Sequence, residues 1–161
     1  MTQQPTVLVI DDEPAHRLMV RVVLGDAGFK VLESDNGSSG LATLRAKPVD
    51  VVLLDMRMPG MSGLDVLQKM HEEGMSTPVI MLTAFGNVSS AVESMKIGAW
   101  DYLTKPTDND ELLAVVKKAA EHVRLTRENR DLKKQIGQLR ETRIICSSRE
   151  IRKVVELIEQ V

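Results

Sequence analysis

The sequence predicts an α/β domain, a doubly wound five-stranded parallel sheet with helices on both faces, followed by an extended C-terminal helix. Five short apolar runs alternate with segments of helical periodicity, which is typical of repeated β–α units. The first, third and fourth runs are almost wholly apolar, as expected for strands covered by helices on both faces. Residues that start or stop helices stand between several of the runs, so the first, third and fourth helices have a predicted beginning or end.

The predicted strands are Thr6–Ile10, Lys30–Glu33, Val49–Leu54, Val79–Leu82 and Trp100–Leu103. Pro14 suits the first turn of the first helix, and Gly28 suits the position after its end, where a left-handed backbone is common. Ser62 and Asp65 have the spacing of a capping pair at the start of the third helix, and Gly74 ends that helix. The predicted β–α series spans residues 5–123.

The composition is that of a folded domain with 43% hydrophobic, 27% charged and only 2% aromatic residues, so the core must be aliphatic. The single cysteine, Cys146, excludes an internal disulfide and fits a reducing compartment. No apolar run approaches the roughly 20 residues of a membrane helix, and no basic stretch precedes the first run as in a signal peptide. We therefore expect a cytoplasmic protein without a membrane partner. The net charge of −2, without a basic cluster, argues against a nucleic-acid surface in this chain.

A long helix is predicted after the last strand, because residues 109–143 contain no proline and only one glycine. Its first part carries an apolar stripe that suits docking on the sheet: Leu112, Val116, Ala119 and Val123. A second stripe with alternating spacings of four and three then predicts a coiled-coil seam, formed by Leu125, Asn129, Leu132, Ile136 and Leu139. We expect this seam to pair two chains as a homodimer, with Asn129 fixing the register. The alternative is a solvated, charged helix.

Polar residues stand at the carboxyl ends of four predicted strands, namely Asp11 and Asp12, Asp55, Thr83 and Lys105. Ligands of doubly wound sheets bind outside this edge. Three carboxylates in one place repel each other unless a cation joins them, and oxygen ligands favour Mg²⁺ or Mn²⁺. A lysine and a hydroxyl opposite can hold the other oxygens of a phosphoryl group. An aspartate at a strand end is usually a cap or turn residue, but the coincidence of all five predicts an aspartate that accepts phosphate.

Residues 5–123 resemble the receiver domain of two-component response regulators. The resemblance lies in VLVIDDE, VVLLDMRMPGMSGLDVL, PVIMLTA and GAWDYLTKP. It implies a flavodoxin-like sheet of order 2-1-3-4-5 and phosphorylation of Asp55 by a partner histidine kinase. It further implies a domain that catalyses only its own aspartyl phosphorylation and dephosphorylation and is otherwise not an enzyme.

The resemblance also assigns roles to single residues. The protein ligands of the metal would be Asp11, Asp12, Asp55 and the backbone carbonyl of Arg57. Thr83 would supply the hydroxyl that follows the phosphoryl group, and Lys105 its cationic partner. Tyr102 matches the switch aromatic, whose ring turns inward when the threonine moves. The bond between Lys105 and Pro106 would be cis.

The segment TAFGNVSSAVESMKIGAWDYLTKPTDNDELL is similar to receivers of the NtrC type, which regulate sigma-54-dependent transcription. This subclass implies a receiver at 1–123, a helical linker at 124–143 and the start of an AAA+ domain at 144–161. Cys146 and Thr107 depart from that pattern, where glycine and phenylalanine are usual. The sequence contains no GxxxxGK[ST] loop, so these residues alone are not expected to bind or hydrolyse ATP. The subclass further implies that DNA and sigma-54 RNA polymerase would be reached only through domains absent from this chain.

Three other functions fit the sequence less well. A haloacid-dehalogenase-like phosphatase requires DxDx[TV] around its nucleophile, whereas Met56, Arg57 and Met58 follow Asp55. A hybrid protein using His122 as a phosphohistidine lacks the acidic residue and proline of a kinase histidine box, so His122 is predicted to lie on a helix surface. His16 and His71 are predicted to be solvated as well. A receiver-type phosphorelay protein without a DNA-binding output remains the alternative, against which the long linker argues.

Overall fold

The computed structural model describes residues 4–84 and 88–145. Within them, five parallel strands form one sheet of order β2-β1-β3-β4-β5, which confirms the predicted doubly wound topology. The strands are β1 (Thr6–Ile10), β2 (Lys30–Ser34), β3 (Val51–Asp55), β4 (Val79–Ala84) and β5 (Asp101–Lys105). The helices are α1 (Pro14–Asp26), α2 (Gly37–Ala46), α3 (Gly63–Glu72), α4 (Val88–Ile97) and α5 (Asn109–Ile145). The chain divides into two units, Met1–Val123 and Arg124–Val161.

Four of the five strands end later than their predicted apolar runs, whereas β1 spans Thr6–Ile10 as predicted. The strand β3 begins at Val51 rather than Val49 and includes Asp55, whose register partner on β4 is Leu82. Likewise Thr83 and Lys105 are strand residues that pair with Thr104 and Ala84, so the prediction that these side chains follow their strands was wrong. The reason is that backbone pairing continues into the polar residues at the sheet edge, whereas the sequence pattern records only the buried part of each strand.

The sheet buries an aliphatic layer on each face. One layer joins alternate strand residues to α2 and α3, with Leu41, Val66, Leu67 and Met70 at its centre. The other joins the remaining strand residues to α1 and α5, through Val20, Leu24, Leu112, Val116 and Ala119. The predicted docking stripe of α5 is therefore confirmed at Leu112, Val116 and Ala119, each of which is fully buried.

Local signals at two helix starts are confirmed. Pro14 is the first residue of α1. At α3, the Ser62 hydroxyl accepts from the backbone N–H of Asp65, and the Asp65 carboxylate accepts from the N–H of Ser62, which is a complete capping box. No helix in the described part of the chain is long and apolar enough to cross a membrane.

The apolar residues of the predicted seam are exposed in the second half of α5. Four of its apolar side chains are more than half exposed, with fractions of 51% for Leu125, 58% for Leu132, 51% for Ile136 and 66% for Leu139. Asn129 is exposed as well. Pairing of two chains along this seam stays a prediction. Cys146 and the segment predicted to begin an AAA+ domain lie, from residue 146 on, outside the described residues.

Candidate functional site

The predicted site residues meet at the carboxyl edge of the sheet. Asp11 follows β1, Asp55 ends β3, and Lys105 ends β5, and because the strands are parallel these ends lie side by side. They border an open cleft lined by Asp12, Glu13, Pro14, Asp55, Met56, Arg57, Ala84 and Lys105. The structure thus brings together the two acidic residues after β1, the aspartate of β3 and the lysine of β5.

Three carboxylates form one acidic group in this cleft. Oxygen atoms of Asp11, Asp12 and Asp55 lie within 4.8 Å of one another. Asp11 is fully buried and Asp55 is 7% exposed, whereas Asp12 faces solvent. These three ligands are all oxygens, which suits a hard dication such as Mg²⁺ rather than a softer ion. The residues present therefore fit the metal that the sequence implies, and Arg57 lines the same cleft.

Lys105 joins the two buried carboxylates. Its Nζ lies 3.0 Å from Oδ2 of Asp11 and 3.3 Å from Oδ2 of Asp55, and the more distant Glu13 Oε2 is at 3.8 Å. Burial opposes the charged ammonium, but the hydrogen bond to Asp11 and the charges of Asp55 and Asp11 raise the pKa of Lys105 above its ordinary value. The lysine therefore stays charged and supplies a fixed cation opposite the acidic group.

The environment moves the pKa values of the two buried carboxyls in opposite directions. Burial works against ionisation of Asp11, but hydrogen bonds from His16, the backbone of Glu13 and Lys105 outweigh it and hold the pKa of Asp11 well below its ordinary value. Burial and the charge of Asp11 raise the pKa of Asp55 to about 6, although Lys105 and the backbone N–H of Arg57 partly offset them. Asp11 is thus the more readily ionised of the two carboxyls, and a further positive charge nearby would favour ionisation of Asp55.

Thr83 and Tyr102 occupy the neighbouring strands β4 and β5. Thr83 is 1% exposed and pairs across the ladder with Thr104, whereas the Tyr102 side chain is 43% exposed. The inward position of the tyrosine ring, expected after phosphorylation, is therefore not the one in this structure. The peptide between Lys105 and Pro106 is cis, as the resemblance implied.

His16 was predicted to be solvated, and that prediction was wrong. Its side chain is 9% exposed, Nδ1 lies 2.6 Å from Oδ2 of Asp11, and Nε2 lies 3.1 Å from the hydroxyl of Thr107. Arg17, also missed, donates from Nη1 to the backbone carbonyl of Asp11 at 2.6 Å. Both residues lie in the first turn of α1, five and six positions after Asp11, but the sequence offers no signal for the partner of His16, which lies 91 positions away.

The other two histidines lie elsewhere. His71 is exposed near the end of α3, as predicted. His122 is an exposed residue of α5, also as predicted, and its ring packs against Trp100 with 4.7 Å between ring centroids. Neither belongs to the acidic cleft.

Known proteins with the same features agree on the class of domain. Residues 7–117 match the response regulator receiver domain family. The transcriptional regulatory protein DctD of Pseudomonas aeruginosa is 41% identical over 86% of this chain and 30% of its own length. The regulator NtrC of Salmonella typhimurium is 38% identical over 81% of this chain and 28% of its own. A crystal structure of NtrX from Brucella abortus, 31% identical, superposes with a TM-score of 0.76 over 88% of this chain and 34% of that one.

The fold, the acidic cleft and the family match define a signalling domain of the receiver type. The chain belongs to the response regulator receiver domain family, and its relatives are NtrC-type regulators of two-component systems. It spans about 30% of the curated relatives that it matches.

Proposed function

We propose that Asp55 accepts a phosphoryl group from a sensor histidine kinase in a Mg²⁺-dependent reaction, and that the modified domain controls a transcriptional regulator. The observation that carries the proposal is the position of Asp55 beside both the Asp11–Asp12 pair and Lys105. Unlike Asp11, whose carboxylate accepts three hydrogen bonds, Asp55 borders the open cleft and accepts one long hydrogen bond of 3.4 Å from a backbone N–H. Its carboxylate is therefore accessible for a new bond, and Lys105 lies beside it.

In the proposed reaction an Oδ atom of Asp55 attacks phosphorus in line, and the bond between phosphorus and the kinase histidine nitrogen breaks. Bound Mg²⁺ would neutralise the charge that develops on the phosphoryl oxygens. Asp11, Asp12, Asp55 and the backbone carbonyl of Arg57 would hold it. Lys105, already 3.3 Å from Asp55, would bind a phosphoryl oxygen after transfer.

The phosphorylated state would be recognised by Thr83 and Tyr102. A phosphoryl group brings about −1.5 to −2 charges and strong acceptor oxygens. Thr83 lies buried on the strand beside Asp55 and can donate its hydroxyl to such an oxygen, which would open space that the exposed Tyr102 ring can fill. A shift of such a two-state equilibrium from 1:99 to 99:1 requires about 5.5 kcal/mol of differential interaction. New contacts to the phosphoryl group from Lys105 and Thr83 would supply it.

The output belongs to the whole protein. We infer a homodimer through the α5 seam, and contacts with DNA and sigma-54 RNA polymerase through further domains of the NtrC type. This chain would catalyse only its own aspartyl phosphorylation and dephosphorylation. The support is the similarity to DctD and NtrC, together with the row of exposed apolar side chains on α5.

Incubation with acetyl phosphate and Mg²⁺ tests the site directly. Intact-protein mass spectrometry should show one added phosphate, which alkali or hydroxylamine removes, and Asp55→Asn should abolish it. Asp35→Asn is the matched control, because Asp35 follows the edge strand β2 and lies outside the acidic group. Undiminished labelling of Asp55→Asn, or loss of labelling in Asp35→Asn alone, would contradict the assignment.

A further inference from the structure

A chain of side-chain hydrogen bonds crosses the cleft wall from the metal-binding edge to the loop after β5. His16, in the first turn of α1, approaches Asp11 through Nδ1 and Thr107 through Nε2, at 2.6 and 3.1 Å. Thr107 precedes Asp108, whose carboxylate accepts from the backbone N–H groups of Asp110 and Glu111 at the start of α5. One ring therefore links the β1–α1 loop, α1 and the entry to α5.

The direction of these hydrogen bonds follows from the chemistry of the partners. An ionised carboxylate only accepts, so Nδ1 of His16 donates to Oδ2 of Asp11. In the neutral ring Nε2 then accepts, and the Thr107 hydroxyl donates to it. The carboxylate thereby selects the ring tautomer that carries its proton on the Asp11 side, and the Thr107 hydroxyl holds the ring at its other nitrogen.

The Asp11 carboxylate accepts hydrogen bonds from three donors, which differ in whether phosphorylation of Asp55 would draw them away. The backbone N–H of Glu13 holds Oδ1 at 3.0 Å, while His16 and Lys105 share Oδ2. Lys105 is also 3.3 Å from Asp55 and would be drawn to a phosphoryl group there. Both ring nitrogens of His16 are hydrogen-bonded, Nδ1 to Asp11 and Nε2 to Thr107. It is therefore the side-chain donor that stays on Asp11 when Lys105 moves.

We propose that His16 is a positioning residue that orients the Asp11 carboxylate for the cation, and that Thr107 orients His16. The inference rests on the proposed function, because it assumes that the cation binds at the acidic group. Partners that hydrogen-bond a metal-ligating carboxylate fix its orientation, and their loss typically costs about 10- to 100-fold in metal affinity. Neither His16 nor Thr107 touches the cation in this scheme.

A purely structural role for His16 predicts a different result when His16 is replaced. A nearly buried histidine that only satisfies its own polar atoms contributes to stability, and its loss changes the unfolding midpoint without a specific change in cation affinity. A positioning residue changes the affinity, and a substitute that restores the same donor rescues it. Asparagine is such a substitute, because its amide NH₂ is as far from Cβ as Nδ1 of histidine, while its side chain ends short of Thr107.

Calorimetric titration of the full chain with Mg²⁺ separates the two roles. His16→Leu should weaken Mg²⁺ binding about 10- to 100-fold, and His16→Asn should regain most of the lost affinity. Thr107→Val should give a smaller loss in the same direction, whereas Thr107→Ser, which keeps the hydroxyl, should bind as the wild type does. His71→Leu, an exposed histidine outside the cleft, is the control for removing an imidazole. Thermal unfolding in EDTA shows whether each variant is folded.

Wild-type affinity in His16→Leu would overturn the inference, and so would His16→Asn binding as weakly as His16→Leu. If His16→Leu does not fold, the Mg²⁺ affinities of His16→Asn and of the two Thr107 variants test the inference instead. Equal Mg²⁺ affinities of Thr107→Val and Thr107→Ser would then overturn it. Asp12→Ala separates this failure from failure of the metal site itself. Weakened binding in Asp12→Ala beside unchanged binding in His16→Leu contradicts the positioning role alone. Unchanged binding in both contradicts the proposed metal site.

Discussion

Gly63 packs directly against the backbone of Asp55. A Cβ atom at Gly63 would overlap the carbonyl oxygen of Asp55 and would lie 2.9 Å from the Cα atom of Met56. The backbone N–H of Gly63 donates to the carbonyl of Met56 at 3.0 Å. The first turn of α3 is thus held against the peptide that places the aspartate at the cleft, and only a residue without a side chain permits this distance.

Gly63→Ala should destabilise the domain, because the atoms it meets are backbone and cannot rotate away. Overpacking of this kind costs about 1–3 kcal/mol. Urea unfolding monitored by circular dichroism measures it. Gly25→Ala is the matched control, since Gly25 is an exposed glycine of α1 with no atom within 4 Å of its added Cβ. This change should be neutral or stabilising by up to about 1 kcal/mol. Equal stabilities of the two variants would contradict the close approach.

Asp55→Asn should stabilise the metal-free protein at neutral pH. The folded state raises the pKa of Asp55 from 3.8 to about 6, so between these values it binds more protons than the unfolded state does. Wild-type stability therefore falls as pH rises through this window. The asparagine variant avoids the penalty, and about two pKa units correspond to at most about 3 kcal/mol.

The gain from Asp55→Asn should shrink as pH falls from about 6 and vanish below about 4, where the wild-type carboxyl is protonated in both states. Thermal unfolding in EDTA at a series of pH values measures it. Asp35→Asn, on the exposed loop after β2, should leave the pH profile unchanged. A stability gain for Asp55→Asn that is the same at pH 4 and pH 7.5 would refute the electrostatic cause.

Thr83→Ala should leave phosphorylation of Asp55 largely intact but reduce the structural response to it. Thr83 is the buried hydroxyl on the strand beside Asp55, and its contact with the phosphoryl group would exist only in the modified state. Hydrogen exchange of α4 and β5 with and without beryllofluoride and Mg²⁺ measures the response. The segment expected to move runs from Ala84 to Tyr102, and within it residues 85–87 lie outside the described residues.

Thr104→Ala provides the control for this experiment, because Thr104 pairs with Thr83 across the ladder but is exposed. It should respond as the wild type does. Identical changes in hydrogen exchange for wild type and Thr83→Ala would show that the threonine does not couple the site to α4.

The α5 seam should make the full chain dimeric at micromolar concentration. Leu132 and Ile136 are 58% and 51% exposed, so replacing both with alanine should favour the monomer by removing apolar surface from the pair. The double change Lys134→Ala and Gln138→Ala alters the opposite helix face at the same spacing and should leave the dimer intact. Sedimentation velocity distinguishes these states, and truncation after Val123 should give a monomer. A wild-type chain that sediments as a monomer with and without beryllofluoride would contradict the seam.

The sequence by itself determined the arrangement of the acidic site. Parallel strands place their carboxyl ends at one edge, so residues after or at the ends of the apolar runs, such as Asp11, Asp55 and Lys105, had to meet there. The capping box at Ser62 and the docking stripe of α5 were also predictable, because both depend on neighbours within a few positions. Such signals are local or follow from topology alone.

Tertiary structure alone decided how each site residue behaves. Asp11 and Asp55 are the same type of residue, and both are buried. Three hydrogen-bond donors outweigh burial and lower the pKa of Asp11, whereas burial and the charge of Asp11 raise the pKa of Asp55. His16 reaches Thr107 across 91 positions, a contact set by how the β1–α1 and β5–α5 loops approach each other. Periodicity records which side of an element is buried, but not which polar atoms meet across the sheet edge. These contacts between polar atoms depend on the paths of the loops and on distances of a few ångströms, which no sequence pattern specifies.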